Sequence, residues 1–226
     1  MTVIANQESQ EASTGAVAFA ASMHAGIDEL IRIAAAEPLA PDGGHFYFLR
    51  HGQTECNARR VFQAIDEPLS TIGLQQAARA AELLAGELIR TIVCSDVKRA
   101  FDTAHTVAAS HRIGPVVAEG LRERNFGALI GTSSAGLDWA CAPEGGETLA
   151  EFVTRKRAAL AAALAQPGSV LVVAHGGSLL VLAALLGVAV DIDVLGNAQP
   201  LRFERAGAGW RVIPLLLHAD RAAALA

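Results

Sequence analysis

Apolar residues along this chain follow two alternating spacings. Short apolar runs, "HFYFL" (45–49), "TIVCS" (91–95), "PVVAE" (115–119) and "SVLVVA" (169–174), predict strands, the first and last of them buried. Between them, apolar residues recur every three or four positions. This spacing predicts helices over 70–88, 96–110 and 147–166, with Ser70 as an N-cap and "PGS" as the stop after 166. Residues 176–187, "GGSLLVLAALLG", are apolar nearly all round and predict a well-buried helix. The last apolar stretch, 200–217, predicts a hairpin turning at "AGAG". Strands alternating with helices imply an α/β fold of three layers, α/β/α, around a mostly parallel central sheet.

The first 44 residues have a different texture. Residues 1–15 are polar and predict no packed element. Residues 16–36 carry Ile27, Leu30, Ile31 and Ala34 at helical spacing, and "PLAPDGG" then breaks the pattern. The chain therefore divides into an N-terminal extension with one helix and linker (1–44) and a catalytic-type domain (45–226). Packing against that domain is the plain role for the extension's helix; a homodimer contact is the sharper one.

Composition narrows the function classes. The chain is 52% hydrophobic and 18% charged, which suits a core-forming protein. A net charge of −5 gives no electrostatic case for nucleic acid or an anionic membrane as the main partner. No apolar run reaches the roughly 20 residues a bilayer requires. The N-terminus lacks the basic region of a secretory signal, so a cytoplasmic protein is expected. Three cysteines, Cys56, Cys94 and Cys141, have no metal-like spacing and predict reduced thiols.

The candidate chemistry lies at strand ends. Arg50 and His51 follow the strand 45–49, Arg99 lies in the first turn of the helix after 91–95, and His175 follows 169–174. In parallel sheets, ligands bind beyond the carboxyl ends of the strands. If these strands are neighbours, two imidazoles and two guanidiniums converge on one crevice. Groups of that kind crowd together to hold a dianion, and a phosphoryl group accepts bidentate bonds from guanidinium. Helix N-termini beside Gly52 and after Gly176 and Gly177 would add backbone N–H donors.

Six ordered motifs then carry a resemblance: "LRHGQTECN" (49–57), "DEPLSTIGLQQA" (66–77), "SDVKRAFDTA" (95–104), "LRERNFGALIG" (121–131), "GGET" (145–148) and "VVAHGG" (172–177). Over residues 45–218 the chain resembles the histidine phosphatase superfamily, in its phosphoglycerate-mutase-like branch. The resemblance implies a metal-independent and cofactor-free phosphomonoesterase that acts on a small-molecule phosphate ester through a phosphohistidine. It implies His51 as nucleophile, Arg50, Arg99 and His175 as phosphoryl ligands, and Glu123 as general acid and base. Asn57, Gly176, Arg60 and Gln63 are implied as substrate contacts, and Glu147 as the reserve acid. The pattern departs from the family at Val61 and Ala64, and the segment between Gly131 and Pro143 is short. Phosphoglycerate mutase-type transfer, dephosphorylation of a protein and non-catalytic binding of a phospho-ligand are the alternatives. A mutase needs a closed lid and extra cations for a second anion, and the sequence offers little of either.

Overall fold

The computed structural model describes residues 26–190 and 195–216. The polar stretch 1–15 and the first part of the helix expected over 16–36 lie outside the described residues. The remainder of that helix is α1 (Ile27–Ala35).

The central sheet shows why alternation in the strands builds three layers. In β1 (His45–Arg50), Phe46 and Phe48 face one side, while Tyr47 and Leu49 face the other. In β4 (Val170–Ala174), Val170, Val172 and Ala174 join the first side and Leu171 and Val173 the second. Helices α1, α5 (Leu149–Leu164) and α6 (Gly176–Leu186) cover the Phe46 face. Helices α3 (Thr71–Leu84) and α4 (Lys98–His111) cover the Tyr47 face. A short α2 (Glu55–Ala58) follows β1.

The strand order is β3-β2-β4-β1-β5-β6, with β2 (Thr91–Cys94), β3 (Val116–Val117), β5 (Pro200–Ala206) and β6 (Gly209–Pro214). β1, β2, β3 and β4 are mutually parallel, and β5 and β6 close the sheet as an antiparallel hairpin. The central pairs β2–β4 and β4–β1 put Ser95, His175 and Arg50–His51 at one end of three adjacent strands. The crevice thus sits where the order reverses between β1 and β4.

Local chemistry sets most boundaries where expected. Ser70 caps α3 by accepting the Gly73 N–H at 3.0 Å. Thr148 and Glu151 form a capping box at the start of α5. α6 is buried at every position from Gly177 to Leu186, as its all-round apolarity requires. Two expectations are corrected. The strand over 115–119 shrinks to Val116–Val117 because Glu119–Leu121 turns into a 3₁₀ segment. Asp96 does not open α4: Val97 is the N-cap, and Asp96 forms an ion pair with Arg122.

Helix α1 of the extension is part of the core. Leu30 of α1 is fully buried and Ala34 nearly so, in the cluster that contains Phe152 of α5 and Leu185 of α6. Burying a leucine side chain contributes about 2 kcal/mol. At the start of the helix, Gly26 (φ 78°) lies so close to Asp138–Ala140 that a Cβ would fall 2.2 Å from the Ala140 nitrogen. Only glycine tolerates both that backbone conformation and that contact.

Candidate active site

His51 and His175 are both buried, and their ring centroids are 5.1 Å apart. The His51 Nδ1 lies 2.7 Å from the Gly52 carbonyl oxygen, which can only accept, so Nδ1 carries the proton. That leaves the Nε2 lone pair free, and Arg99 Nε donates to it at 3.3 Å. The loop before β5 fixes the His51 backbone: Asn197 Nδ2 donates to its carbonyl at 3.0 Å, and the Ala198 N–H bonds the Arg50 carbonyl at 3.0 Å. His175 Nε2 lies 3.1 Å from Ser95 Oγ. That hydroxyl also accepts the Val97 N–H at 3.3 Å.

Two buried nitrogens are left over. His175 Nδ1 and Arg50 Nε are buried and have no partner among the described residues. Arg50 also donates through Nη1 to the Leu195 carbonyl, and Arg99 through Nη1 to the Ala64 carbonyl at 2.9 Å. Unsatisfied buried donors are costly, and a tetrahedral oxyanion among them satisfies them. Burial, then Arg99 and Arg50, hold the His51 imidazole well below its ordinary range. Burial, then His51 and Arg99, do the same to His175. Both rings are therefore neutral near pH 7. Burial lowers Arg50, and it lowers Arg99 to about 10, which leaves the Arg99 guanidinium charged at neutral pH.

Glu123 follows the 3₁₀ segment and approaches the start of α6. Its Oε2 accepts the Gly177 N–H and its Oε1 the Arg124 N–H, each at 2.9 Å. Glu147 does not share this position. Burial works against its charge, but bidentate bonds to Arg155 at 2.7 Å and the Asn125 N–H outweigh it. Together they hold the carboxyl below the ordinary range. Glu147 is a structural anion that precedes the Thr148 cap, not a reserve acid and not a residue of the helix.

Arg50, His51, Asn57, Arg60, Gln63, Arg99, Glu123, His175 and Gly176 all line one cavity of about 460 Å³. The oxygens of Asn57 and Gln63 are engaged locally. Asn57 Oδ1 accepts from Thr54 N and Asn197 Nδ2, and Gln63 Oε1 accepts from Thr54 Oγ1. Arg60 adopts a left-handed backbone (φ 53°), and its side chain lines the cavity apart from the Arg50–Arg99 clamp. The Gly52 N–H bonds Thr103 Oγ1 at 3.0 Å, so it is not free for a ligand. Cys56 lines the cavity, and burial, with Glu67, raises its thiol. Cys94 lies in β2, its thiol pushed up to about 12 by burial, and does not line the cavity. Neither is an activated thiolate.

Several contributors escape sequence reasoning. Ser95 was visible only as the first letter of a motif. Asn197 and Leu195 act from a loop with no pattern of its own. Arg124 is buried, and all three of its guanidinium nitrogens donate to the carbonyls of Trp139, Cys141 and Glu147. It fastens the short segment 137–147 over the cavity and has no donor atom left unbonded. Trp139 lines the cavity and is packed against Phe126 and Phe152.

Known proteins show the same arrangement of chain. The family model described as histidine phosphatase superfamily (branch 1) matches residues 46–213. The chain is 38% identical over 183 residues to a glucosyl-3-phosphoglycerate phosphatase of Mycolicibacterium vanbaalenii, covering 67% of this chain and 80% of that one. It is 33% identical over 180 residues to an agropine synthesis reductase of Rhizobium rhizogenes, covering 75% of this chain; it spans only 41% of that relative. Among solved structures, a mycobacterial glucosyl-3-phosphoglycerate phosphatase complexed with VO3 superposes with a TM-score of 0.64 at 30% identity. That match covers 76% of this chain and 98% of the other. A family model that spans most of the chain, and a like fold at this identity, leave one conclusion: the chain belongs to branch 1 of the histidine phosphatase superfamily.

Proposed function

We propose that the protein hydrolyses phosphate monoesters of small metabolites, with His51 as nucleophile and Glu123 as proton donor and acceptor. The observation that carries the assignment of roles is the His51 environment. Its Nδ1 proton is committed to the Gly52 carbonyl, and its Nε2 lone pair faces the Arg99 guanidinium. In the first step Nε2 bonds to phosphorus, the P–O ester bond breaks, and the leaving oxygen takes a proton from the Glu123 carboxyl. The phosphorylated ring becomes a cation whose Nδ1–H remains on the Gly52 carbonyl. In the second step water attacks phosphorus, the Glu123 carboxylate takes the water's proton, and the N–P bond breaks to release orthophosphate and neutral His51. Arg50, Arg99 and the His175 Nδ1–H hold the equatorial oxygens throughout, which is where most of the catalysis lies.

Hydrolysis is favoured over mutase transfer by the state of the cations. A mutase substrate brings a second anionic group, and Arg124, the buried guanidinium nearest in sequence to Glu123, gives four of its five N–H groups to carbonyls. The likeness to glucosyl-3-phosphoglycerate phosphatases supports a small phosphorylated metabolite as substrate. The catalytic unit is taken as residues 45–226. Three free thiols support a reducing compartment such as the cytoplasm.

The test is orthophosphate release from an aryl phosphate by the wild type and by His51→Ala, with phosphohistidine trapped by rapid alkaline quench of ³²P-labelled substrate. Label on His51 and a loss of turnover in the variant are expected. Equal rates in the two proteins would overturn the assignment.

A further inference from the structure

The cavity lining is chemically mixed. Arg50, His51, Arg99 and His175 make it polar and cationic, and Ile27, Phe62, Phe126, Leu137, Trp139 and Val190 add apolar walls to the same cavity. These come from four separate parts of the chain: α1, the loop after α2, the segment 126–139 and the loop after α6. Their convergence is therefore a property of the fold and not of one apolar run.

Among the described residues, charge outside the clamp is scarce. Besides the clamp and Glu123, the charged ones that line the cavity are Asp28, Arg60 and Arg124. Arg124 has every guanidinium nitrogen engaged with carbonyls. Asp28 and Arg60 carry opposite signs. A leaving group with its own carboxylate would meet one exposed arginine and one acid, with no net attraction, and would give up hydration against apolar walls. Asn57 and Gln63 have their oxygens engaged locally, which leaves a sugar few neutral acceptors beyond Ser134 among the described residues.

Ile27 and Asp28 belong to the N-terminal extension, which precedes the family match at 46–213. The helix is fixed against the segment that carries Trp139 by the Gly26 contact with Ala140. Ile27 and Asp28 are therefore lining residues that lie outside the family match.

We propose that this cavity selects phosphate monoesters whose alcohol has an apolar, uncharged body, and that Ile27 of the N-terminal helix is a specificity-determining wall. The proposal rests on the phosphomonoesterase reading above. It goes further by naming the substrate class and the segment that chooses it.

The experiment uses the full chain and n-alkyl phosphates from ethyl to octyl, whose leaving alcohols differ little in acidity. 3-Phosphoglycerate and glucosyl-3-phosphoglycerate serve as anionic comparators. kcat/KM is expected to rise about threefold to fourfold per added methylene until the cavity is full, and to exceed that of both comparators by more than tenfold at the longest chain. Ile27→Asp is expected to cut the gain on octyl phosphate at least tenfold relative to ethyl phosphate. A flat chain-length series, or preference for a comparator, overturns the proposal while leaving the phosphatase reading intact. Hydrolysis of no ester overturns the phosphatase reading itself. In that case n-alkylphosphonate binding by calorimetry decides the proposal: affinity that climbs with chain length and is lost in Ile27→Asp upholds it, and affinity independent of chain length overturns it.

Discussion

The Glu123 carboxylate accepts the backbone N–H of Gly177 at 2.9 Å, across 54 residues of sequence. This bond ties Glu123, the proposed proton carrier, to the first turn of α6, the helix that begins immediately after His175. Glu123 and His175 are therefore held by the same stretch of backbone.

Glu123→Gln keeps the side chain's shape and removes its proton chemistry. kcat on an alkyl phosphate should fall about 10²- to 10⁴-fold, the usual worth of a positioned acid–base group. The loss should shrink toward unity on esters such as 2,4-dinitrophenyl phosphate, whose leaving group needs no proton. Steady-state rates across a leaving-group series check this. An equal loss on every ester would remove Glu123 from the proton-donor role.

Gly177→Ala tests the same relationship from the other side. An added Cβ would lie 2.4 Å from Glu123 Oε1 and 2.7 Å from Trp139 Cη2. The carboxylate is the softer neighbour and should be displaced. kcat is expected to fall at least tenfold while the fold persists, measured by turnover alongside thermal unfolding. Unchanged turnover would show that the Glu123 position has more latitude than the contact implies.

The strand-end placement of Arg50, His51, Arg99 and His175 was legible because it follows from two local patterns, the short apolar run and the residue that terminates it. Glu123 was legible through its motif alone; nothing about its spacing says that it meets Gly177. The apolar lining of the cavity was not legible. Ile27, Phe62, Trp139 and Val190 each look like ordinary core residues, and only the folded chain brings four separate segments to one cavity. Arg124 would pass for a free cation in the sequence, because its carbonyl partners lie 15 to 23 residues away on an irregular segment. Asp96 and Glu147 look like helix-starting acids, and long-range pairing with Arg122 and Arg155 gives them other roles.

Lys156 is fully buried, and its ammonium donates to the carbonyls of Gly120 and Arg122, immediately before Glu123. Lys156→Met keeps the volume and removes one of the two cations on these carbonyls, each of which keeps its bond from Arg155 Nη1; the lost hydrogen bonds cost about 0.5–1.5 kcal/mol. For a domain of this size that is a fall in Tm of roughly 1–6 °C. The Glu123 loop should also loosen, so kcat should drop more than KM changes. Differential scanning calorimetry and steady-state kinetics on one preparation check both halves. A lower Tm with unchanged kcat would confine Lys156 to the fold.

The depressed imidazoles make stability depend on pH with a definite sign. His51 and His175 are held well below their ordinary range in the fold and return to about 6.5 when the chain unfolds. Below about 6.5 the unfolded chain binds more protons than the native one. Their contribution is therefore fully present above that pH and is lost as pH falls. Lys156, pushed down to about 7 by burial, acts in the same direction at higher pH: its contribution declines from about 10.5 down to about 7. Tm should therefore fall as pH drops from 8 to 5. Orthophosphate should oppose the fall, because an anion between the two rings stabilises their protonated forms and adds binding free energy to the native state. Thermal unfolding at several pH values, with and without millimolar phosphate, tests this. A Tm that is flat across the range, or equally steep in phosphate, would mean that the two rings are not the buried neutral pair the geometry describes.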